Sequence, residues 1–182
     1  MEGADFSGRG VSGYTTEDLY GAAVRIFRTE TPVVAAVQGA AIGGGLGLAL
    51  SADFRVAAPE ARFSANFARL GFHQGFGLSV TLPRLVGALV AADLLFTGRR
   101  VRGEKAAELG LADRLVSLDE LRSVANDLAR EIATAAPLAV RSIRRTLRGD
   151  LADRVEAATA HEAAEQAGLQ ATADFAEGTT AM

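Results

Sequence analysis

Apolar positions along the chain follow two periods, and the change between them falls near the middle. Between residues 33 and 64 the apolar runs are short and unbroken: 33–37 and 53–57 read as strands buried on both faces, and 62–64 as a third short one. On either side of that stretch the spacing is helical. Residues 15–28 place Leu19, Ala22, Ala23, Ile26 and Phe27 on one face behind a Thr/Glu/Asp-rich start, which predicts an amphipathic helix with an N-cap. Residues 39–47 are a glycine-rich turn, and 46–51 look like the opening of a helix. An irregular segment follows over 65–77, of the kind that often lines a site. From there helices are predicted at 78–86, 88–96, 103–108, 118–135, 138–148 and 151–168. Strands alternating with helices and then helices alone give an α/β core followed by a helical C-terminal region. No linker rich in Pro, Gly or Ser separates the two. The first dozen residues, MEGADFSGRGVS, hold no recognisable element, and a missing N-terminal portion is one explanation.

Composition narrows the functional classes. With 49% hydrophobic residues, 182 residues can enclose one sizeable core. A net charge of -3 gives no broad basic field, so nucleic acid and anionic membranes are poor partners. Lys105 is the only lysine among 19 basic residues. There is no cysteine and there are two histidines, which argues against disulfides, a thiolate nucleophile and a metal cluster. No segment resembles a secretion signal or a membrane span, so a soluble cytoplasmic protein is expected.

The sequence AAIGGGLG between a strand and a helix carries the most chemistry. Three successive glycines remove the Cβ atoms that would hold a ligand away from the backbone, and the helix start behind them presents free N–H groups with positive dipole character. Such a turn suits an anion or a polarised carbonyl oxygen. It equally suits close packing of strand on helix with no ligand. Nucleotide phosphate fits less well, because the third fingerprint glycine would fall on Leu48 and no Gly-Lys-Ser/Thr follows.

The longer stretch PVVAAVQGAAIGGGLGLALSADFRVAA resembles, in order and spacing, the P-V-I-A-A-V-x-G-x-A-x-G-G-G-x-x-L-A-x-x-x-D segment of the crotonase (enoyl-CoA hydratase/isomerase) superfamily. GADF at residues 3–6 is similar to that family's G-A-D turn, and DLLFTGRRVRGEKAAELGLADRLV at 93–116 to its E-L-x-x-T-G stretch. Pro137 and the DFAEG ending resemble its C-terminal trimerisation region. The resemblance implies a spiral of ββα units over 1–116, whose first strands would precede Met1, and a helical oligomerisation region over 117–182. It implies a homotrimer or dimer of trimers acting on an acyl-CoA substrate, with no separate cofactor because coenzyme A is part of that substrate. Two backbone N–H groups would form an oxyanion hole for the thioester oxygen, those of Ala4 and Gly44, with Gly43 and Gly45 beside them.

Two departures from the hydratase pattern bear on the reaction. Family hydratases carry one glutamate where this chain has Gly47 and a second where FSANF places Phe67; an isomerase acid would fall near Gly75. Neither Gly nor Phe can orient water or move a proton. His73, in LGFHQGFG, is then the candidate acid/base, with Gln74 positioning water or a carbonyl. The more common role for such a histidine is to cap a loop or donate to a backbone carbonyl. His161 is expected to be solvated or at an interface, and Glu162 to be an exposed helical charge. Asp5 and Asp53 are expected to cap turns. Phe63, Phe67, Phe72 and Phe76 form either an apolar acyl pocket or ordinary core. Three functions stay open: an acyl-CoA enzyme with an unusual acid/base, a conventional hydratase with its acid elsewhere, and a non-catalytic scaffold of the same fold.

Overall fold

The computed structural model describes residues 16–181, and side chains from Asp18 onward. The GADF turn, with Ala4 and Asp5, lies outside the described residues.

Helix α1 (Thr16–Phe27) leads to two ββ pairs and their helices. In the first, β1 (Val34–Val37) and β2 (Ala40–Ile42) are followed by α2 (Gly44–Ser51). In the second, β3 (Phe54–Ala57) and β4 (Arg62–Ser64) are followed by a 3-10 helix (Asn66–Leu70). Each pair splits between two small sheets. β1 lies parallel to β3, with Val34 opposite Phe54, and β2 lies parallel to β4, with Ala40 opposite Arg62. The chain therefore winds as a spiral, each turn adding one strand to each sheet. After α3 (Leu78–Val86) and α4 (Ala88–Thr97), β5 (Val101–Arg102) closes one sheet antiparallel to β4. Then α5 (Gly103–Leu109) leads to β6 (Arg114–Leu115), which closes the other parallel to β3.

Everything beyond β6 is helical: α6 (Leu121–Ala133), α7 (Pro137–Arg148), α8 (Leu151–Gln170) and α9 (Ala173–Thr180). Helix α6 packs Leu121 and Ala125 in one cluster with Val56 of β3 and Ala58 just beyond it. Helix α8 packs Leu151 and Val155 against Val24 and Phe27 of α1. The main core lies between the second sheet, α2, α3 and α4, around Leu46, Phe63, Leu78, Leu82 and Leu94. No helix among the described residues is long and apolar enough to cross a membrane, and none of their acidic, histidine or cysteine side chains form a group that could hold a metal ion.

The periodicity located α3 without error and the other long helices within a few residues. It placed the start of α2 two residues late, since the helix begins inside the glycine run at Gly44, and it did not separate β2 from that turn. The two-residue strands β5 and β6 carry too few residues to express a period, and the DFAEG ending forms α9.

Candidate functional site

The glycine run is a corner, and each glycine in it has a distinct task. Gly43 has φ 56°, a left-handed conformation that costs glycine little. Its N–H donates to the Ser64 carbonyl at 2.9 Å, tying the corner to β4. Gly44 then opens α2, where first-turn N–H groups have no acceptor inside the helix. Gly44 and Gly45 face solvent, whereas Gly43 and Gly47 are buried. A Cβ on Gly45 would meet nothing within 4 Å, and one on Gly44 would touch only the Phe76 ring, at 3.8 Å. The corner thus exposes backbone with open space in front of it.

Behind the corner the packing is tight. A Cβ at Gly47 would lie 2.6 Å from the Phe76 side chain, so Phe76 fills the volume that a side chain at 47 would need. Phe76 is held at φ 61°, a rare conformation for a bulky residue, between Gly75 and Gly77. Gly75 is equally constrained, for a Cβ there would collide with the Tyr20 hydroxyl and lie 2.7 Å from Gln166 Nε2. Phe67 and Asn66 flank Gly43, with Phe67 Cζ 3.7 Å from where its Cβ would be.

Phe63, Phe67 and Phe72 are core side chains of the main cluster, and Phe76 packs with Tyr20 and Ala23. Phe72 is a hinge of aromatic contacts, edge-on to Phe67 and to Phe175 of α9 at 5.4 Å in each case.

His73 faces α8. Its Nδ1 is 2.8 Å from the Gln74 carbonyl, and its ring meets the exposed His161 edge-on at 5.9 Å. Its own carbonyl accepts from Gln166 Nε2 at 2.9 Å, and Gln166 Oε1 accepts from the Tyr20 hydroxyl at 2.8 Å. Gln74 donates to Ser79 Oγ at 3.0 Å. Burial pushes the Tyr20 phenol up to about 12; the Gln166 hydrogen bond opposes that shift and the nearby Glu162 charge adds to it.

Glu162 corrects the sequence reading. It is fully buried rather than exposed, and its two carboxylate oxygens accept from the N–H groups of Gly77 at 2.8 Å and Ser79 at 3.0 Å. It caps α3, whose own N-cap is a glycine with no side chain to offer. The buried stripe of α8 runs Leu151, Val155, Thr159, Glu162, Gln166. These steps of four, four, three and four carry the core-facing row from apolar into polar residues, a continuity that becomes visible once packing shows which face of α8 is buried.

Asp53 is a turn acceptor, as its position suggested, since its Oδ2 takes the Val33 N–H at 2.8 Å. It also does more. Arg144 and Arg148, from α7, each place Nε 2.9 Å from its carboxylate.

The family model described as enoyl-CoA hydratase/isomerase matches residues 3–182. The chain belongs to the enoyl-CoA hydratase/isomerase family. Among its relatives, carnitinyl-CoA dehydratase of Salmonella enteritidis is 38% identical over 145 residues, covering 80% of this chain and 52% of that protein. The short-chain-enoyl-CoA hydratase of Clostridium acetobutylicum is 34% identical over 158 residues, covering 87% and 60%. The chain therefore spans between half and two thirds of the length of these relatives. An enoyl-CoA hydratase/isomerase from Pseudoalteromonas atlantica superimposes with a TM-score of 0.86 at 33% identity, covering 94% of this chain and 68% of that one. An enoyl-CoA hydratase from Bacillus halodurans gives 0.83 at 25% identity, covering 92% and 67%. The spiral described above is the crotonase fold.

Proposed function

We propose that this family member binds an acyl-CoA thioester at the start of α2 and stabilises its enolate without hydrating a double bond. The exposed N–H end of α2 at Gly44, freed of side chains, is the observation that carries the reading. Its amide is one donor to the thioester oxygen, and the amide of Ala4 is the second. Two fixed donors favour the charge that develops on that oxygen when Cα loses a proton, and loss of one such donor costs on the order of 3 kcal/mol of barrier. The helix dipole acts in the same sense. Coenzyme A enters as part of the substrate, and no separate cofactor is needed.

Hydration needs a pair of carboxylates to orient water and exchange its proton. The positions matching the family's two glutamates hold Gly47 and Phe67, and Phe76 occupies the space beside Gly47. The position matching an isomerase acid is Gly75, backed by Tyr20. His73 is left as the acid/base of this proposal, with Gln74 beside it.

The test is binding of crotonyl-CoA by calorimetry together with loss of its conjugated absorbance. Binding without hydration is expected, and hydration at the rate of a family hydratase would refute the reaction assigned. In Gly44→Pro, which lacks the donor N–H, binding should weaken by up to about tenfold, about 1 kcal/mol for a lost hydrogen bond to the ground-state thioester, the larger loss falling on the barrier to enolate formation. A folded Gly44→Pro protein that bound as tightly as the parent would remove the oxyanion hole. We also propose the assembly expected of the family, a homotrimer or dimer of trimers. The highly exposed Leu89 and Phe96, 88% and 80% accessible, support a covered surface on α4. Light scattering on the purified chain decides this.

A further inference from the structure

Among the described residues, the side chains that border the glycine corner are two phenyl rings and one carboxamide. Phe76 lies 3.8 Å from where a Cβ on Gly44 would be, and Phe67 lies 3.7 Å from that position on Gly43. The third neighbour is Asn66, whose Oδ1 is 3.5 Å from the same Gly43 position. Both rings belong to the core. Asn66 therefore brings the one polar side chain to an otherwise apolar surround.

Its backbone is fixed from behind. Asn66 opens the 3-10 helix after β4, and two residues earlier the Ser64 carbonyl accepts the Gly43 N–H at 2.9 Å, so strand end and corner are tied together. Ser64 Oγ donates to the Gly98 carbonyl at 3.0 Å, and Gly98 packs so closely that a Cβ there would lie 3.2 Å from the Asn66 Cα. One turn on, Arg69 Nε donates to the Thr97 carbonyl at 2.6 Å.

The carboxamide itself is unengaged. It makes no hydrogen bond among the described residues, Asn66 is only half-buried, and neither of its polar atoms is sealed from solvent. An amide carries an acceptor oxygen and two N–H donors, and a half-turn about the Cβ–Cγ bond exchanges the oxygen facing Gly43 for the NH2. That turn breaks no hydrogen bond. A free, open donor on a rigid backbone thus stands beside the corner, next to phenyl rings that lower the local polarity and strengthen any bond it makes.

We propose that Asn66 is a side-chain donor to the thioester carbonyl oxygen, reinforcing the backbone amide of Gly44. This rests on the thioester site proposed above. When the Cα proton passes to the base, the C–H electron pair forms the bond between Cα and the carbonyl carbon, and the carbonyl π pair moves onto the oxygen. The Asn66 NH2 stabilises that charge from the Gly43 side.

Isotope-edited infrared difference spectroscopy on the whole chain tests this, with butyryl-CoA carrying 13C at the thioester carbonyl. Donors weaken the carbonyl bond, so its stretch should fall below the value in buffer when the thioester binds. Asn66→Leu has no donor, and Asn66→Asp keeps the shape but at neutral pH can only accept. Each should lose roughly a third of the lowering, one donor of three, and bind up to about tenfold more weakly. Folded Gly44→Pro should lose a comparable share. If circular dichroism shows Asn66→Leu unfolded, Asn66→Asp carries the test. An undiminished lowering in the folded Asn66 variants, with Gly44→Pro still diminishing it, would overturn the role of Asn66 and leave the thioester site standing. Butyryl-CoA that failed to bind the parent, or bound with its carbonyl at the frequency in buffer, would remove the site and the role of Asn66 with it.

Discussion

The carboxylate of Glu162 is expected to be worth several kilocalories to the fold, and its removal tests how the segment over 73–77 is held. Its two oxygens satisfy the N–H groups of Gly77 and Ser79, and both bonds are charge-assisted and within 3.0 Å. In Glu162→Gln the amide oxygen can still accept from one of them, while the amide NH2 faces the other donor. One buried donor is then left unpaired, and a charged acceptor becomes neutral, for a loss of about 2–3 kcal/mol. Glu162→Ala leaves both donors unpaired and opens a cavity between α8 and α3, for about 3–5 kcal/mol. For a chain of this length each kilocalorie moves the melting temperature by about 2–4 °C, so the Gln variant should melt about 4–12 °C lower. Urea unfolding followed by circular dichroism gives the free energies, and amide exchange gives the location. The amides of Gly77 and Ser79 should exchange faster in both variants, with those of α4 unchanged under conditions where the whole chain stays folded. A Glu162→Gln protein within about 0.5 kcal/mol of the parent would refute the cap.

Three further outcomes follow from other contacts. The Tyr20 phenol is raised from its ordinary value near 10 to about 12. The folded state therefore favours the protonated ring, and the stability it contributes is fully present below pH 10 and lost as pH rises through 12. Relative to Tyr20→Phe, the parent should lose about 2–3 kcal/mol over that window, and absorbance at alkaline pH should show one tyrosine ionising late. Gly47→Ala should destabilise by about 1–2 kcal/mol, overpacking against Phe76 outweighing the helix propensity gained; in a Phe76→Gly background the same change should stabilise, which a double-mutant cycle reads directly. Asp53→Asn removes the shared partner of Arg144 and Arg148 and should cost about 3–5 kcal/mol in urea unfolding, while Glu30→Gln, at the exposed ion pair with Arg141, should cost under about 1 kcal/mol.

The sequence by itself determined the family, the order of strands and helices and the glycine corner. These depend on local pattern: unbroken apolar runs for β1 and β3, helical spacing from Leu78 onward, and glycines where a left-handed turn must precede a helix. It also carried the identities at Gly47, Phe67 and Gly75, none of which is an acid, and residue identity needs no structure to be read. It could not decide which way Glu162 points. Glu156, Glu162 and Glu165 look alike along α8, and only packing against both α1 and α3 makes one of them interior. It could not place Phe76 over Gly47, or Tyr20 over Gly75, since the partners are 29 and 55 residues apart and no local period links them. Nor could it bring Asp53, Arg144 and Arg148 together. Charges so distant in sequence meet only when α7 closes over the end of α2, and burial then gives each unpaired group a cost that it does not have in the extended chain.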